Sequence, residues 1–221
     1  MREEYTRENY PSFGKKYNGE KAIISLTSWK ARINTVSKTL FSLLKQCPGF
    51  HIVLVLSEEE FPKMTEELPD NLMLFVDNKL IELMFVFKNY KSFKKVLFTM
   101  DKYRDVPVIS ADDDCIYTCN YAQELYDKWE KNKTCIITPG KHIMNNFQIC
   151  RGCSTLYPPN RFLNYGIIAL KNMPDFNNDD AYIAALNKKY RIKIIAINRD
   201  ALKDYLIFHN CVKPLSKTVN R

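Results

Sequence analysis

A chain of 221 residues can bury well over half of the surface that its unfolded form exposes, so it needs neither disulfides nor a structural metal in order to fold. Its 46% hydrophobic and 26% charged residues are ordinary for a globular domain and argue against wholesale disorder or a membrane-embedded body. The net charge of +8, from 33 Lys and Arg against 25 Asp and Glu, favours an anionic partner such as nucleotide phosphates, anionic lipid headgroups or nucleic acid.

The first twenty residues are polar, without the apolar segment of a signal peptide, and no run of 18 apolar residues occurs. The sequence thus predicts a protein that is neither exported by that route nor membrane-spanning. Ala22 to Leu26 form an apolar run ending at Thr27-Ser28, which predicts a buried first strand opening into a loop. Val36, Leu40, Leu43 and Leu44 recur at helical spacing, and Pro48-Gly49 ends the pattern before the apolar run His51 to Leu56. Together these segments have the length of a βαβ unit. The Glu-rich stretch Glu58 to Glu67 predicts a helix, Leu72 to Val76 a strand, and Leu83 to Phe87 another strand. Phe93, Val96, Leu97 and Met100 share one face of a further helix. Val106 to Ala111 predicts a strand with Pro107 near its start or at an edge, and it runs directly into Asp112-Asp113-Asp114.

Ala122, Leu125, Tyr126 and Trp129 mark the next helix, and Cys135 to Thr138 a strand closed by Pro139-Gly140. Over 141–176, Gly152, Pro158, Pro159, Gly166 and Pro174 interrupt short apolar runs, which predicts strands and loops built over a site. Asn178-Asp179-Asp180 opens a last helix bearing Ile183, Leu186 and Tyr190, followed by a strand over Ile192 to Ile197. Such alternation predicts a single α/β domain with a mostly parallel central sheet and helices on both faces. Ligands of these sheets bind beyond the carboxyl ends of the strands, so Thr27-Ser28, Asp112 to Asp114 and Thr138 are expected on one rim.

Three consecutive carboxylates repel one another, and at low dielectric at least one pKa rises unless a cation neutralises them. A divalent cation does so directly, and hard oxygen ligands suit Mg²⁺ or Mn²⁺, which accept substrate phosphate oxygens to complete an octahedron. A solvated acidic turn capping the next helix is the other reading of the run. Seven scattered cysteines are an odd number without a disulfide framework, and Cys150 with Cys153 forms a C-x-x-C that lacks the second pair of a zinc site. Reduced thiols in a cytoplasm are expected. Lys91, Lys94 and Lys95 fall on a predicted helix, where both a solvated face and phosphate contact fit them. Arg32, just before a helix and close to a strand end, can form paired bonds to a phosphate or a carboxylate. Asp179 and Asp180 either stabilise the positive end of their helix or keep one raised pKa suited to accepting a proton.

The segment Ile24-Ser25-Leu26-Thr27-Ser28-Trp29-Lys30-Ala31-Arg32-Ile33, the run Lys91-Ser92-Phe93-Lys94-Lys95 and Ser110-Ala111-Asp112-Asp113-Asp114-Cys115-Ile116-Tyr117 resemble bacterial cell-surface polysaccharide glycosyltransferases of the Rossmann-like GT-A fold. Leu156-Tyr157-Pro158-Pro159 and Asn178-Asp179-Asp180-Ala181-Tyr182 continue the likeness in the same order, over most of 21–198. The resemblance implies a polar lead-in over 1–20 and one catalytic domain over 21–221, with a nucleotide-binding part at about 21–118 and an acceptor part at about 119–221. It implies transfer of a sugar from a nucleotide-diphosphate donor to a glycan or lipid-linked acceptor, with Mn²⁺ or Mg²⁺. The protein would be cytoplasmic, with peripheral contact to the anionic inner face of the membrane, and no nucleic-acid partner is expected.

Residue by residue, Asp112 and Asp114 match the D-x-D pair that holds metal. Thr27, Ser28, Arg32, Asp112 and Asp113, with Lys91, Lys94 and Lys95 of the basic segment, match donor-binding positions. Asp179 and Asp180 match the later acidic pair that carries the base of an inverting enzyme, and His209 is placed as a further metal ligand. Two departures concern the acceptor side: Gly140-Lys141-His142 replaces a His-Arg pair near the fifth strand, and Gly152-Cys153-Ser154-Thr155 replaces a Gly-Gly. A haloacid-dehalogenase-like phosphatase with Asp112 as nucleophile is the alternative enzyme, although that family places its D-x-D after the first strand. A basic nucleic-acid-binding module is the non-enzymatic alternative, although the cations are spread without a recognition motif.

Overall fold

A computed structural model describes residues 21–46, 48–144, 147–150, 153–159, 179–197 and 206–208. In β1 (Ala22–Thr27) successive side chains point to opposite faces of a sheet, and both faces are apolar. Ala22, Ile24 and Leu26 enter one core cluster while Ile23 enters the other. The same split recurs in β2 (Phe50–Ser57), where Ile52, Leu54 and Leu56 face one side and Val53 and Val55 the other. A strand apolar on both faces must be covered on both. Helices α1 (Val36–Leu43), α2 (Asp70–Asp77) and α4 (Tyr121–Glu130) cover the first face. Helices α3 (Lys94–Lys102) and α5 (Asp179–Lys189) cover the second.

The remaining strands of the seven-stranded sheet are β3 (Glu82–Val86), β4 (Val108–Ser110), β6 (Ile136–Thr138), β9 (Leu156–Tyr157) and β10 (Ile194–Ala196), in the order β10-β6-β9-β4-β1-β2-β3. All pairings are parallel except those of β9, which runs antiparallel to both β4 and β6, with Leu156 opposite Ile109 on one side and Ile137 on the other. This is the expected α/β architecture. Two antiparallel pairs stand apart from the sheet: β5 (Cys115–Tyr117) with β11 (Leu206–Phe208), and β7 (Lys141–Met144) with β8 (Phe147–Cys150). Pro107 directly precedes β4, and its carbonyl accepts the Ile23 amide at 3.0 Å, so the missing N–H of proline is no loss there.

Two segments differ from expectation. Leu72 to Val76 lies within the helix α2, not a strand. Burial there follows a helical stripe: Leu72 is buried, Leu74 is 62% exposed, and Phe75 and Val76 are half-buried. Pro69 in extended conformation and Asp70 in the first turn start that helix. The stretch Glu58 to Glu67 forms turns and a single 3₁₀ turn over Met64–Glu67, because Pro62 disfavours helix before it and Met64 takes a positive φ of 54°. Among the described residues, no helix is long and apolar enough to cross a membrane.

A polar cluster secures the end of the sheet opposite the expected rim. Glu82 accepts bonds from His51 Nε2 at 3.0 Å, from Lys102 Nζ at 2.6 Å and from the Tyr103 hydroxyl. Partial burial alone would raise its carboxyl, but these donors overcome that and lower it to about 2, against 4.5 when unperturbed. A depressed carboxylate stabilises the fold above its unfolded pKa and loses that contribution as pH falls toward its folded one. Glu82→Gln is therefore expected to lower stability by about 3 kcal/mol at pH 7, with the gap to wild type closing between pH 4.5 and pH 2 in urea titrations. An equal loss at both ends of that range would show that the charge does not matter.

Candidate active site

The rim predicted from strand ends is assembled around Asp113. β1 and β4 lie side by side in parallel, so the loop after Thr27 and the run after Ser110 emerge together. Beyond β4 the chain turns at Asp113–Asp114, and in that turn the middle carboxylate points inward: the Asp113 side chain is 6% exposed, against 36% for Asp112 and 21% for Asp114. Ser28 Oγ donates to Asp113 Oδ2 at 2.6 Å, and Arg32 Nη1 to Oδ1 at 2.7 Å. The same Nη1 lies 2.9 Å from Asp114 Oδ2. Burial pushes the Asp113 carboxyl above its usual range and the Asp114 charge adds to this, while Ser28 and Arg32 pull it back. Contact with a guanidinium that keeps its proton holds Asp113 as the ionised partner at neutral pH.

Lys94 and Lys95 are not on a solvated face. Lys95 is buried and its Nζ lies 2.5 Å from Asp112 Oδ1. Lys94, 1% exposed, donates to Asn89 Oδ1 at 2.7 Å and Glu60 Oε2 at 3.2 Å; burial lowers its pKa and Glu60 opposes that. Lys91 is exposed at a positive φ of 50°, with its amide on Asn89 Oδ1. The Thr27 hydroxyl donates to the Val55 carbonyl, so it braces β1 on β2. Thr138, at the end of β6, lies 3.2 Å from Thr155 by their hydroxyls, whose backbone in turn meets Ser110.

Asp180 lies in the first turn of α5 and is half-buried. The helix ends at the turn that enters β10, so its N-terminus points back to the rim. Tyr182, one half-turn on, packs against Phe93 at the start of α3, with ring centroids 5.6 Å apart. The side chain of Asp179 and all of His209 lie outside the described residues. β11 ends one position before His209, with Phe208 opposite Cys115.

Three features escaped the sequence reading. Tyr117 joins the acidic run to the segment before β9. Thr39, in mid-helix, approaches the carbonyls of Asp113 and Cys115 at 3.0 and 2.9 Å. Glu60 and Asn89 hold Lys94. None of these has a local signal, apart from the tyrosine that recurs in the resemblance.

Among the described residues, the ligand atoms of Asp112, Asp114 and Cys115 lie within 4.8 Å of one another. The Cys115 thiol is fully buried, burial pushes its pKa far up, and it donates weakly to Asp114 Oδ1 at 3.7 Å. It thus stays a thiol, and the accessible donors are two carboxylates. That donor set fits Mg²⁺ or Mn²⁺, which take one or two carboxylates and complete their shell with water and phosphate oxygens.

Similarity to solved structures runs along this architecture. A mannosyltransferase from Pyrobaculum calidifontis, in complex with GDP-Man and Mn²⁺, aligns over 87% of this chain and 59% of its own, with TM-score 0.58 at 11% identity. The chain has a glycosyltransferase fold. The glycosyltransferase GlyE of Streptococcus pneumoniae, in its apo form, aligns over 80% of this chain and 45% of its own, with TM-score 0.51 at 15% identity. TarS of S. aureus, residues 1–349, aligns over 84% and 59%, with TM-score 0.53 at 11% identity. The chain thus spans less than two thirds of the length of each. No family model and no curated protein sequence matches it.

Removing Arg32 would leave the buried Asp113 carboxyl without its cation. Arg32→Ala is expected to lose about 3–5 kcal/mol of stability, as broken buried pairs do. In a double-mutant cycle read by thermal unfolding, Asp113→Asn should recover part of the loss. Additive losses would show that the pair is not coupled.

Proposed function

We propose that the chain is a metal-dependent glycosyltransferase of the hexosyltransferase class, moving a sugar from a nucleotide-diphosphate donor to a hydroxyl of a cell-surface glycan or its lipid-linked precursor. One observation carries this reading: on a glycosyltransferase-fold sheet, Asp112 and Asp114 are presented outward at the carboxyl-end rim while Asp113 is locked inward by Ser28 and Arg32. The part at about 21–118 binds the nucleotide and the part at about 119–221 the acceptor. The protein works in the cytoplasm, peripherally on the inner face of the membrane.

Asp112 and Asp114 hold Mn²⁺ or Mg²⁺, and His209 completes the protein's share; the pairing of Phe208 with Cys115 supports that third assignment. A divalent ion held there supplies positive charge to the donor's diphosphate and offsets the charge that develops as the nucleotide departs. Arg32 acts on the donor through the two carboxylates it orients, and Ser28 with it. Thr27 keeps the strand-end loop in place, Lys95 sets Asp112, and Lys91 and Lys94 bring positive charge to the same rim. As the acceptor oxygen bonds to the anomeric carbon and the bond to the diphosphate breaks, Asp180 takes the hydroxyl proton, with Asp179 beside it. Attack from the face opposite the leaving group inverts the centre.

Calorimetry with a panel of nucleotide-sugars, GDP-mannose included, tests donor and metal together. Binding is expected only with Mn²⁺ or Mg²⁺ and is expected to be lost in Asp114→Asn while the fold persists; equal affinity in excess chelator overturns the metal assignment. Asp180→Asn is expected to slow transfer by about 10²- to 10⁴-fold with donor affinity unchanged, since asparagine caps a helix about as well as aspartate.

A further inference from the structure

Several backbone groups in and beside the acidic run are held by partners outside it. The Ala111 amide donates to the Ser25 carbonyl at 2.8 Å, which fixes the end of β4 against β1. Thr39 holds the carbonyls of Asp113 and Cys115. Between these anchors, the Asp112 amide donates to the Tyr117 hydroxyl at 2.8 Å, and that hydroxyl donates to the Cys153 carbonyl at 2.7 Å. Tyr117 is 3% exposed, and its own amide is fixed by Ser42 Oγ at 3.0 Å. A phenol has one proton to donate, and here it goes to Cys153 while a lone pair takes the Asp112 amide.

We propose that Tyr117 is a positioning residue for the cation and diphosphate site, setting the peptide plane of Asp112 so that its carboxylate meets that of Asp114. This rests on the function proposed above. Ser25 fixes the peptide between Ser110 and Ala111, and the tyrosine fixes the next one, between Ala111 and Asp112, from which the first carboxylate projects. Through Cys153 the same hydroxyl ties the run to the segment whose Thr155 carbonyl accepts the Ser110 amide at 2.9 Å, so both chain segments reaching the rim beside β4 share one oxygen. Lys95 pulls on the Asp112 carboxylate from α3, but an ion pair sets a side chain's direction only if its backbone is already in place.

Tyr117→Phe deletes that oxygen and keeps the ring. Tyr121→Phe is the control: Tyr121 is 1% exposed, its ring lies 4.4 Å from that of Tyr117, and its hydroxyl reaches the Ser110 carbonyl only at 3.5 Å. Both variants lose some stability, so both are compared at a temperature where circular dichroism shows them folded. Mn²⁺ affinity, read from the electron paramagnetic resonance of the unbound ion, is expected to fall about tenfold in Tyr117→Phe and to stay within about twofold in Tyr121→Phe. The half-saturating Mn²⁺ for sugar transfer should rise by the same factor, while kcat at saturating Mn²⁺ stays close to wild type.

Coupling is reciprocal, so Mg²⁺ added to the wild-type protein should slow hydrogen exchange of the Asp112 amide about tenfold more than that of the Ala111 amide. That measurement stands even if Tyr117→Phe does not fold. Wild-type Mn²⁺ affinity in Tyr117→Phe, or equal slowing at both amides, overturns the inference and leaves the proposed function intact. Absence of Mn²⁺ binding by the wild-type protein overturns both.

Discussion

Like charges placed on consecutive residues at the end of a strand must be separated or neutralised, and the buried pair of Arg32 with Asp113 does both. It draws the middle carboxylate inward and through the same Nη1 also takes hold of Asp114, while Asp112 is left to Lys95, so that the two outer carboxylates stay more exposed than the middle one. Arg32 and Lys95 are the cations that contact the three carboxylates, so the acidic run itself stands one positive charge short before any ligand arrives. A site in that condition attracts a cation, and a bound cation would in turn attract a diphosphate. The partners of Asp113 come from the loop after β1, so the geometry of the acidic run depends on two adjacent parallel strands ending at the same height.

Helix α3 supplies the second half of that arrangement. Its N-terminal lysines are adjacent in sequence and both buried, yet they reach different acids: Lys95 goes to Asp112, and Lys94 to Glu60 and Asn89. Burying an ammonium is unfavourable unless its bonds are met, and the lowered pKa of Lys94 expresses that strain. The Lys94 network also includes Ser57, at the end of β2, through Glu60, and so braces the loops after β2 and β3 beside the acidic run.

Strand and helix order was legible because the chain alternates apolar runs with helical stripes and punctuates them with Pro48-Gly49 and Pro139-Gly140. Short apolar segments are ambiguous, and Leu72 to Val76 was misread because five apolar residues in a row carry neither period; a cap at Pro69-Asp70 decides for the helix. The acidic run was legible as a cluster, and its position after β4 follows from the strand order. What the cluster does internally was not. That Asp113 points inward, and that Arg32 meets carboxylates, follows from the register of β1 against β4, which is a contact between residues about eighty positions apart. The lysine pair looked like a solvated face because Phe93, Val96, Leu97 and Met100 give α3 an apolar stripe, yet the helix is covered on its other sides too and is buried from Lys94 to Asp101.

The two-residue strand β9 gives the sheet a seam. The four strands β1 to β4 are contiguous in the chain from Ala22 to Ser110 and pair with one another in parallel, without need of anything later. β6 and β10 pair with each other, and they join the rest through Leu156, which lies between Ile109 and Ile137. Every cross-sheet link on that side therefore waits for a residue that emerges after both of its neighbouring strands. The first half can assemble as a cooperative unit while the second is still being made, and closure across β9 then joins residues nearer in the chain, Ile109 with Leu156, than the pairing of Ile24 with Ile109 that the first half already contains. Because the same junction borders the rim, the wall of the site is finished only once β9 has been added.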